Sequence, residues 1–386
     1  MSTLVKPAQQ VHYGSWIEIR RDRFLDNLRH FKKISGNSKI MAVVKANAYG
    51  HGLLEMARVL KDQVSYLGVS SLHEILELKE HGIETPVFLF GRLFGQELVT
   101  AVKSGATLSV SSLEEAQEIS RISQELRHET YLHVKIDTGM GRLGIPEPEA
   151  FGVIKKIAGL RGVTLEGIYT HFASAEKEDG FTESQFQKFG LLIQALDVQG
   201  IHFALRHCSN SAAGLKIKSP ILNLARPGLL LYGIHPFPPP ASSLFQGEDE
   251  VGVFKPVLSL KSRIILLKRL AAGDSVGYGR EFTASEPCTV ATLPIGYSHG
   301  YPVHLSNKSY VLYKGKRYPI AGRVSMDFLS INLGNTSAHT GDEITLLGED
   351  GQESIRAEDL AQWAGTISYE IVTRLTSRLP RLYKDT

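Results

Sequence analysis

Residues 41–52 read Met41-Ala42-Val43-Val44-Lys45-Ala46-Asn47-Ala48-Tyr49-Gly50-His51-Gly52. With Lys39 and Ile40 ahead of it, the run is apolar and partly β-branched as far as Lys45. This predicts a strand over 39–46 buried on both faces, the kind found in helix-covered parallel sheets. The strand delivers a single lysine to its end, and a Tyr-Gly-His-Gly turn follows. Burying a charged lysine there is costly, so such a residue tends to be neutralised or used covalently. A desolvated amine is the nucleophile that Schiff-base chemistry needs. The residues alone leave a second reading open, in which the lysine has merely reached solvent at the strand end.

Outward from this stretch, strand-like and helix-like segments alternate with short connections. Strands are expected at 16–20, 39–46, 66–70, 86–90, 107–110, 131–136, 165–169, 203–207 and 223–224. Helical spacing covers 22–33, the segment carrying Leu53, Leu54, Ala57 and Leu60, then 73–81, 95–103, 149–158 and 182–198. A further helix is opened by Ser111 or Ser112 as N-cap, and a short one begins at Ser211. Counting from Lys39, eight strands each feed a helix or helix-like turn, which favours an α/β fold of the closed (β/α)8 TIM type. Lys45, Asp137, Arg142, His171, Ser211 and Arg226 all follow carboxyl ends of strands. A barrel gathers such ends at one mouth, whereas an open sheet strings them along an edge. Beyond the proline-rich then acidic stretch from Pro236 to Glu250, the pattern becomes all-β. Strands are expected at 255–270, 288–295, 309–313, 325–333 and 343–347, with one short helix at 357–363. The domains are therefore placed at 1–248 and 249–386, with the first ~15 residues free to join the second.

Several motifs recur in one order along nearly the whole chain. They are V-V-K-A-N-A-Y-G-H-G at 43–52, D-T-G-M-G-R-L-G at 137–144, G-I-Y-T-H-F at 167–172, N-S-A-A at 210–213 and R-P-G-L-L-L-Y-G at 226–233. After these come G-Y-G-R at 277–280, P-I-G-Y at 294–297 and G-R-V-S-M-D at 322–327. Together they resemble the alanine racemases, a family using pyridoxal 5′-phosphate. The resemblance implies a (β/α)8 barrel followed by an all-β domain, and a homodimer interconverting L- and D-alanine, with D-alanine destined for peptidoglycan.

The resemblance also assigns roles. Lys45 would bind the cofactor covalently and serve as one base. Tyr278, between Gly277 and Gly279, would be the second base, reaching the lysine of the other subunit. A tyrosine's ordinary pKa near 10 must be lowered for that work. Arg226 would face the pyridine nitrogen without protonating it, because an arginine keeps its proton. His171 would link Arg226 to Tyr278. Asn210, Ser211, Gly228, Leu229, Tyr49 and Tyr369 would hold the phosphate. Arg142 would approach the cofactor's phenolic oxygen and the substrate carboxylate, with Lys135 as a carbamylation candidate that orients it. Met326 and Tyr297 would line the substrate mouth, and a Tyr297–Tyr369 pair would narrow it to a small side chain. Two residues depart from the family pattern: His299 stands where aspartate is usual, and Ser325 replaces a commoner cysteine.

Composition sets bounds on partners. A net charge of +3 and the absence of a Lys/Arg block point away from nucleic acid and from an anionic membrane. Two cysteines are too few for a disulfide framework and suit a reducing, cytoplasmic setting; no metal site is expected. Neither a signal-like segment nor an apolar run of membrane-spanning length is evident. A nucleotide loop at Gly139–Gly144 is disfavoured because Ile145-Pro146 follows instead of a helix. A pyridoxal-phosphate decarboxylase would carry a Gly-Gly-Gly loop and Glu-Pro-Gly-Arg where Arg226-Pro227-Gly228-Leu229 stands. A non-catalytic cofactor-binding barrel would lack the β domain, and a racemase of broader specificity remains a third alternative.

Overall fold

The computed structural model describes residues 13–237 and 253–385. The proposed division at residue 248 falls in 238–252, outside the described residues. The chain forms two compact units, one of Arg21–Val257 and one joining the N-terminal segment through Arg20 to Leu258–Thr386.

In the first unit eight parallel strands follow one another in sequence order. They are Lys39–Val43, Tyr66–Val69, Val87–Leu89, Thr107–Val110, Thr130–Asp137, Val163–Tyr169, Leu205–His207 and Leu224–Ala225. The last pairs with the first, Leu224 against Lys39 and Ala225 against Ile40. Between the seventh and eighth, Asn223 N donates to Arg206 O at 3.1 Å and Arg226 N to Ser209 O at 2.9 Å. These bonds bring the sheet to near closure as a barrel. Met41, Tyr66, Phe88, Tyr169, Leu205 and Leu224 form a buried interior cluster, as expected of a packed barrel core. Helices follow the strands, with Ser71 and Ser112 as side-chain N-caps of Leu72–Glu80 and Leu113–Leu126.

The second unit is sheet-rich. Ser15–Arg20 lies between Leu258–Arg263, antiparallel, and Arg381–Lys384, parallel. A separate sheet joins Leu266–Leu270, Cys288–Leu293 and Leu329–Gly334. The single strand expected over 255–270 is thus two. At Ile264 and Ile265 the backbone leaves one partner, Asp342, for another, Thr292, and the chain turns from sheet to sheet. The strand expected from residue 325 starts only at Leu329, because the Ser325 hydroxyl and amide close a turn on Phe328. A second helix, Ser368–Thr373, accompanies Ala357–Ala364; six residues are too few to show helical periodicity in the sequence. Among the described residues no helix is long and apolar enough to cross a membrane.

Candidate active site

The first strand ends at Val43, three residues before its expected end, because the backbone changes hand. Ala46, Asn47, Ala48 and Tyr49 all have φ between 51° and 55°, a left-handed turn made without glycine. Each such residue costs about 1–2 kcal/mol, so the turn persists only if its surroundings hold it. Ala46 N donates to the Glu74 carboxylate at 2.6 Å, and Leu53 N to Asn47 Oδ1 at 2.8 Å. Tyr49 stacks on Tyr232 at 4.9 Å between ring centres, and Tyr232 Oη donates to Val43 O at 2.9 Å. Lys45 precedes this turn, its Nζ 6.0 Å from the Phe90 ring centre. Burial, then Arg142, lowers its pKa, while Glu74 acts in the opposite sense.

The fifth strand carries His133, Lys135 and Asp137 at alternate positions, hence on one side. Burial pushes Lys135 down to about 8, aided by Arg142 and Arg226. The Asp137 carboxylate accepts from Gly139 N and Gly141 N at 2.9–3.1 Å, folding the loop that presents Arg142. Gly144 has φ +125°, and a Cβ there would stand 2.7 Å from Asp137 N, so this tight return needs glycine. His171, beyond the sixth strand, is pushed to about 3 by burial and by Arg226, Lys135, Arg142 and Lys45. Lys45, Lys135, Arg142, His171 and Arg226 are thus brought into one electrostatic neighbourhood in which each opposes protonation of another.

Arg226 is buried, yet among the described residues no carboxylate touches it. Its guanidinium donates to His207 Nδ1 at 2.7 Å, Thr170 O at 2.9 Å, Cys208 O at 3.1 Å and His171 Nδ1 at 3.4 Å. From His207 a chain of hydrogen bonds continues inward. His207 Nε2 meets His133 Nδ1 at 2.8 Å, and His133 Nε2 meets Glu166 Oε2 at 3.0 Å; that oxygen also accepts from Tyr66 Oη at 2.7 Å. The two ends fix the proton order, because arginine only donates and a carboxylate only accepts. Both imidazoles are therefore neutral Nε2–H tautomers. Burial lowers the pKa of each, in keeping with that assignment. Burial raises that of Glu166, but the bonds from His133 and Tyr66 outweigh it and hold the carboxyl below its ordinary value. Sequence reading missed Glu74, His133, Glu166 and His207. The polar alternation His133-x-Lys135-x-Asp137 in an apolar strand was the available signal.

A second group of expected residues meets beside this one. Ser211 Oγ accepts from Gly228 N at 2.9 Å and from Leu230 N at 3.4 Å. Gly228 faces Tyr49, and a Cβ there would come within 2.7 Å of Tyr49 Oη. Leu229 opens the short 3-10 turn Leu229–Tyr232. Asn210 caps the Ser211–Lys216 helix through Ala213 N at 2.9 Å. Tyr278, Tyr297, Met326 and Tyr369 lie in the other unit, all exposed, Tyr278 at 70%. Tyr278 sits between the short paired strands Ser275–Val276 and Phe282–Thr283, flanked by left-handed Gly277 and Gly279. His299 accepts from Gly296 N at 3.2 Å through Nδ1, which a carboxylate could also do.

The family model for the alanine racemase N-terminal domain matches residues 19–236, and that for the alanine racemase C-terminal domain matches 257–383. The chain belongs to the alanine racemase family. An alanine racemase of Desulforamulus reducens is 39% identical over 373 residues, covering 95% of this chain and 98% of its own. One from Methanococcus maripaludis is 37% identical, covering 97% and 99%. Among solved structures, the alanine racemase of Clostridium difficile 630 superposes with a TM-score of 0.89 at 33% identity, covering 97% of each chain. That of Bacillus anthracis, with bound L-Ala-P, gives 0.89 at 31%, covering 97% and 96%. The family consists of isomerases that depend on pyridoxal 5′-phosphate. The barrel's residues fit an anionic cofactor of this kind: a mutually repelling basic cluster, a half-buried Lys45 and a buried Lys135 both of lowered pKa, and a Gly228 surface shaped against the Tyr49 hydroxyl.

Proposed function

We propose that the chain interconverts L- and D-alanine, with Lys45 and Tyr278 from a second copy of the chain as the two bases. The observation that carries this reading is the convergence of Lys45, Lys135, Arg142, His171 and Arg226 at the carboxyl ends of the barrel strands. Such a cluster calls for anions, and pyridoxal phosphate together with an amino-acid carboxylate supplies them. When bound, the cofactor provides an electron sink for the weakly acidic Cα–H.

The chain's own residues do the rest. Ser211, Gly228, Leu229, Tyr49, Asn210 and Tyr369 bind phosphate. Arg142, oriented through Asp137's loop and Lys135, binds carboxylate by charge-assisted hydrogen bonds. Arg226 keeps its proton and faces the pyridine nitrogen, so it orients the ring while leaving the sink weak, which suits a racemase. Lys45 Nζ takes or gives a proton on one face of Cα, and Tyr278 Oη does so on the other. His171, hydrogen-bonded to Arg226, is the link toward Tyr278. Tyr297 and Met326 line the mouth and select for a small side chain.

A homodimer follows from this assignment. The exposed Tyr278, Tyr297, Met326, Phe328 and Tyr369 of the β-rich unit support it, as an apolar surface suited to a second copy. Both cysteines are free and buried, as suits the cytoplasm, and D-alanine for peptidoglycan is the product's proposed use. The test follows each enantiomer separately in deuterated buffer with added pyridoxal phosphate. Deuterium at Cα in both products, lost in Lys45→Ala and Tyr278→Phe, supports the two-base reading. Cofactor binding without exchange from either enantiomer refutes it, and carbon dioxide release would assign a decarboxylase.

A further inference from the structure

We propose that Glu74 is a positioning residue for Lys45, its carboxylate clamping the left-handed turn that keeps the half-buried lysine amine held in the site. Glu74 is itself buried, and both its oxygens are taken. Oε1 accepts from Ala46 N, the amide directly after Lys45, at 2.6 Å. Oε2 accepts from Ser70 N at 2.9 Å and Ser70 Oγ at 3.4 Å. One carboxylate therefore ties the turn after the first strand to the end of the second.

The same chain contains a control. Ser70-Ser71-Leu72-His73-Glu74 is echoed by Ser111-Ser112-Leu113-Glu114-Glu115. In each, the second serine caps the helix by accepting from the glutamate N, at 3.3 Å in one and 3.2 Å in the other. In each, the glutamate carboxylate also takes the first serine's amide, Ser111 N to Glu115 Oε2 at 2.8 Å. This much closes a helix N-terminus and is structural. The bond to Ala46 is what Glu74 adds. Four consecutive non-glycine residues at positive φ, Ala46 to Tyr49, need such a hold. Charges acting on Lys45 besides Glu74 are Arg142 and Lys135, both basic, so they push the amine outward if the turn loosens.

The inference rests on Lys45 as the functional lysine, but its test does not use racemase activity. Full-length chain freed of cofactor is reductively methylated with formaldehyde and cyanoborohydride across pH, and Lys45 modification is read by peptide mass. Native protein is expected to show a midpoint below that of surface lysines. In Glu74→Ala the turn is released, the amine reaches solvent, and the midpoint rises toward the surface value. Glu74→Gln retains one acceptor for Ala46 N and lacks the anion, so its midpoint stays at or below the native one. Glu115→Ala removes the same cap closure without touching the lysine turn, and its midpoint is native. A native midpoint in Glu74→Ala, or an equal rise in Glu115→Ala, overturns the proposal. Neither result bears on whether alanine is the substrate.

Discussion

Burying neutral histidines makes the protein acid-labile above the carboxylate range. His133, His171 and His207 all have folded pKa values below the ordinary 6.5, chiefly through burial, with His171 at about 3 and His207 well down. Between the folded and unfolded values the unfolded chain binds more protons, so stability increases with pH. The contribution is complete above about 6.5 and is lost as pH falls below it. At pH 5.5, one unit below the unfolded value, each fully shifted ring destabilises the fold by about 1.4 kcal/mol. His171 and His207 together therefore remove roughly 3 kcal/mol from a total stability of about 5–15 kcal/mol, and His133 adds to the loss. Carboxylates, with unfolded values near 4, titrate little at that pH. The assay is proton uptake on urea unfolding of the cofactor-free chain, measured by pH-stat at 5.5 and 7.5. Uptake of about two protons or more is expected at pH 5.5 and far less at 7.5. His171→Asn should reduce it by about one proton. Uptake below about half a proton at pH 5.5 would refute the claim that these rings are held neutral.

Glu166→Ala deletes the acceptor for both His133 Nε2–H and Tyr66 Oη, and should destabilise by about 1–3 kcal/mol in chemical denaturation. Nitrogen NMR of native protein should show His133 and His207 as neutral Nε2–H tautomers; an imidazolium at either would contradict the proton order. In Gly228→Ala the new Cβ presses on Tyr49 Oη, whose ring is pinned on Tyr232, so cofactor affinity should fall about tenfold or more in an absorbance titration. With Lys135 near 8, a carbamate mass at this residue should appear with bicarbonate and grow as pH passes that value, since only the neutral amine reacts. Co-expressed Lys45→Ala and Tyr278→Phe chains should recover activity absent from either variant alone, because one of the two mixed sites keeps both bases.

The barrel was legible because its strands are short apolar runs buried on both faces, alternating with segments of helical periodicity. Thr107–Val110 and Gly95–Lys103 fall at their expected bounds for that reason. The stretch ending in Lys45 showed where the first strand gives way to a turn but not the backbone's change of hand. Alanine, asparagine and tyrosine give no glycine-like signal for positive φ, and the turn is imposed from outside by Glu74 and Tyr232. Long-range polar pairing was hidden as well. Glu166 lies 33 residues from His133, and His133 lies 74 from His207, so only closure of the barrel joins them. The break at Ile264–Ile265 was invisible because both sheets ask for apolar residues there. Among the motif residues of the barrel, folding showed which already have structural partners: Asn210 as a cap, Ser211 as acceptor for Gly228.

The placement of Glu166 explains how Arg226 can be buried and still keep the uncompensated charge that its proposed role requires. A carboxylate directly against the guanidinium would offset most of its charge and compete for its donors. Here the acceptors touching Arg226 are two neutral imidazole nitrogens and two backbone carbonyls, which satisfy hydrogen bonds without cancelling the charge. The compensating anion stands two histidines away, where its pull on the guanidinium is weak but its control of proton order is complete. Replacing His207 by aspartate inverts this arrangement by moving the negative charge next to Arg226. That variant should hold Arg226 as firmly, yet bind inorganic phosphate and the cofactor more weakly than His207→Asn, which supplies a neutral acceptor at the same place. Equal affinity in the two variants would show that the geometry of Arg226, and not its uncompensated charge, is what the two histidines preserve.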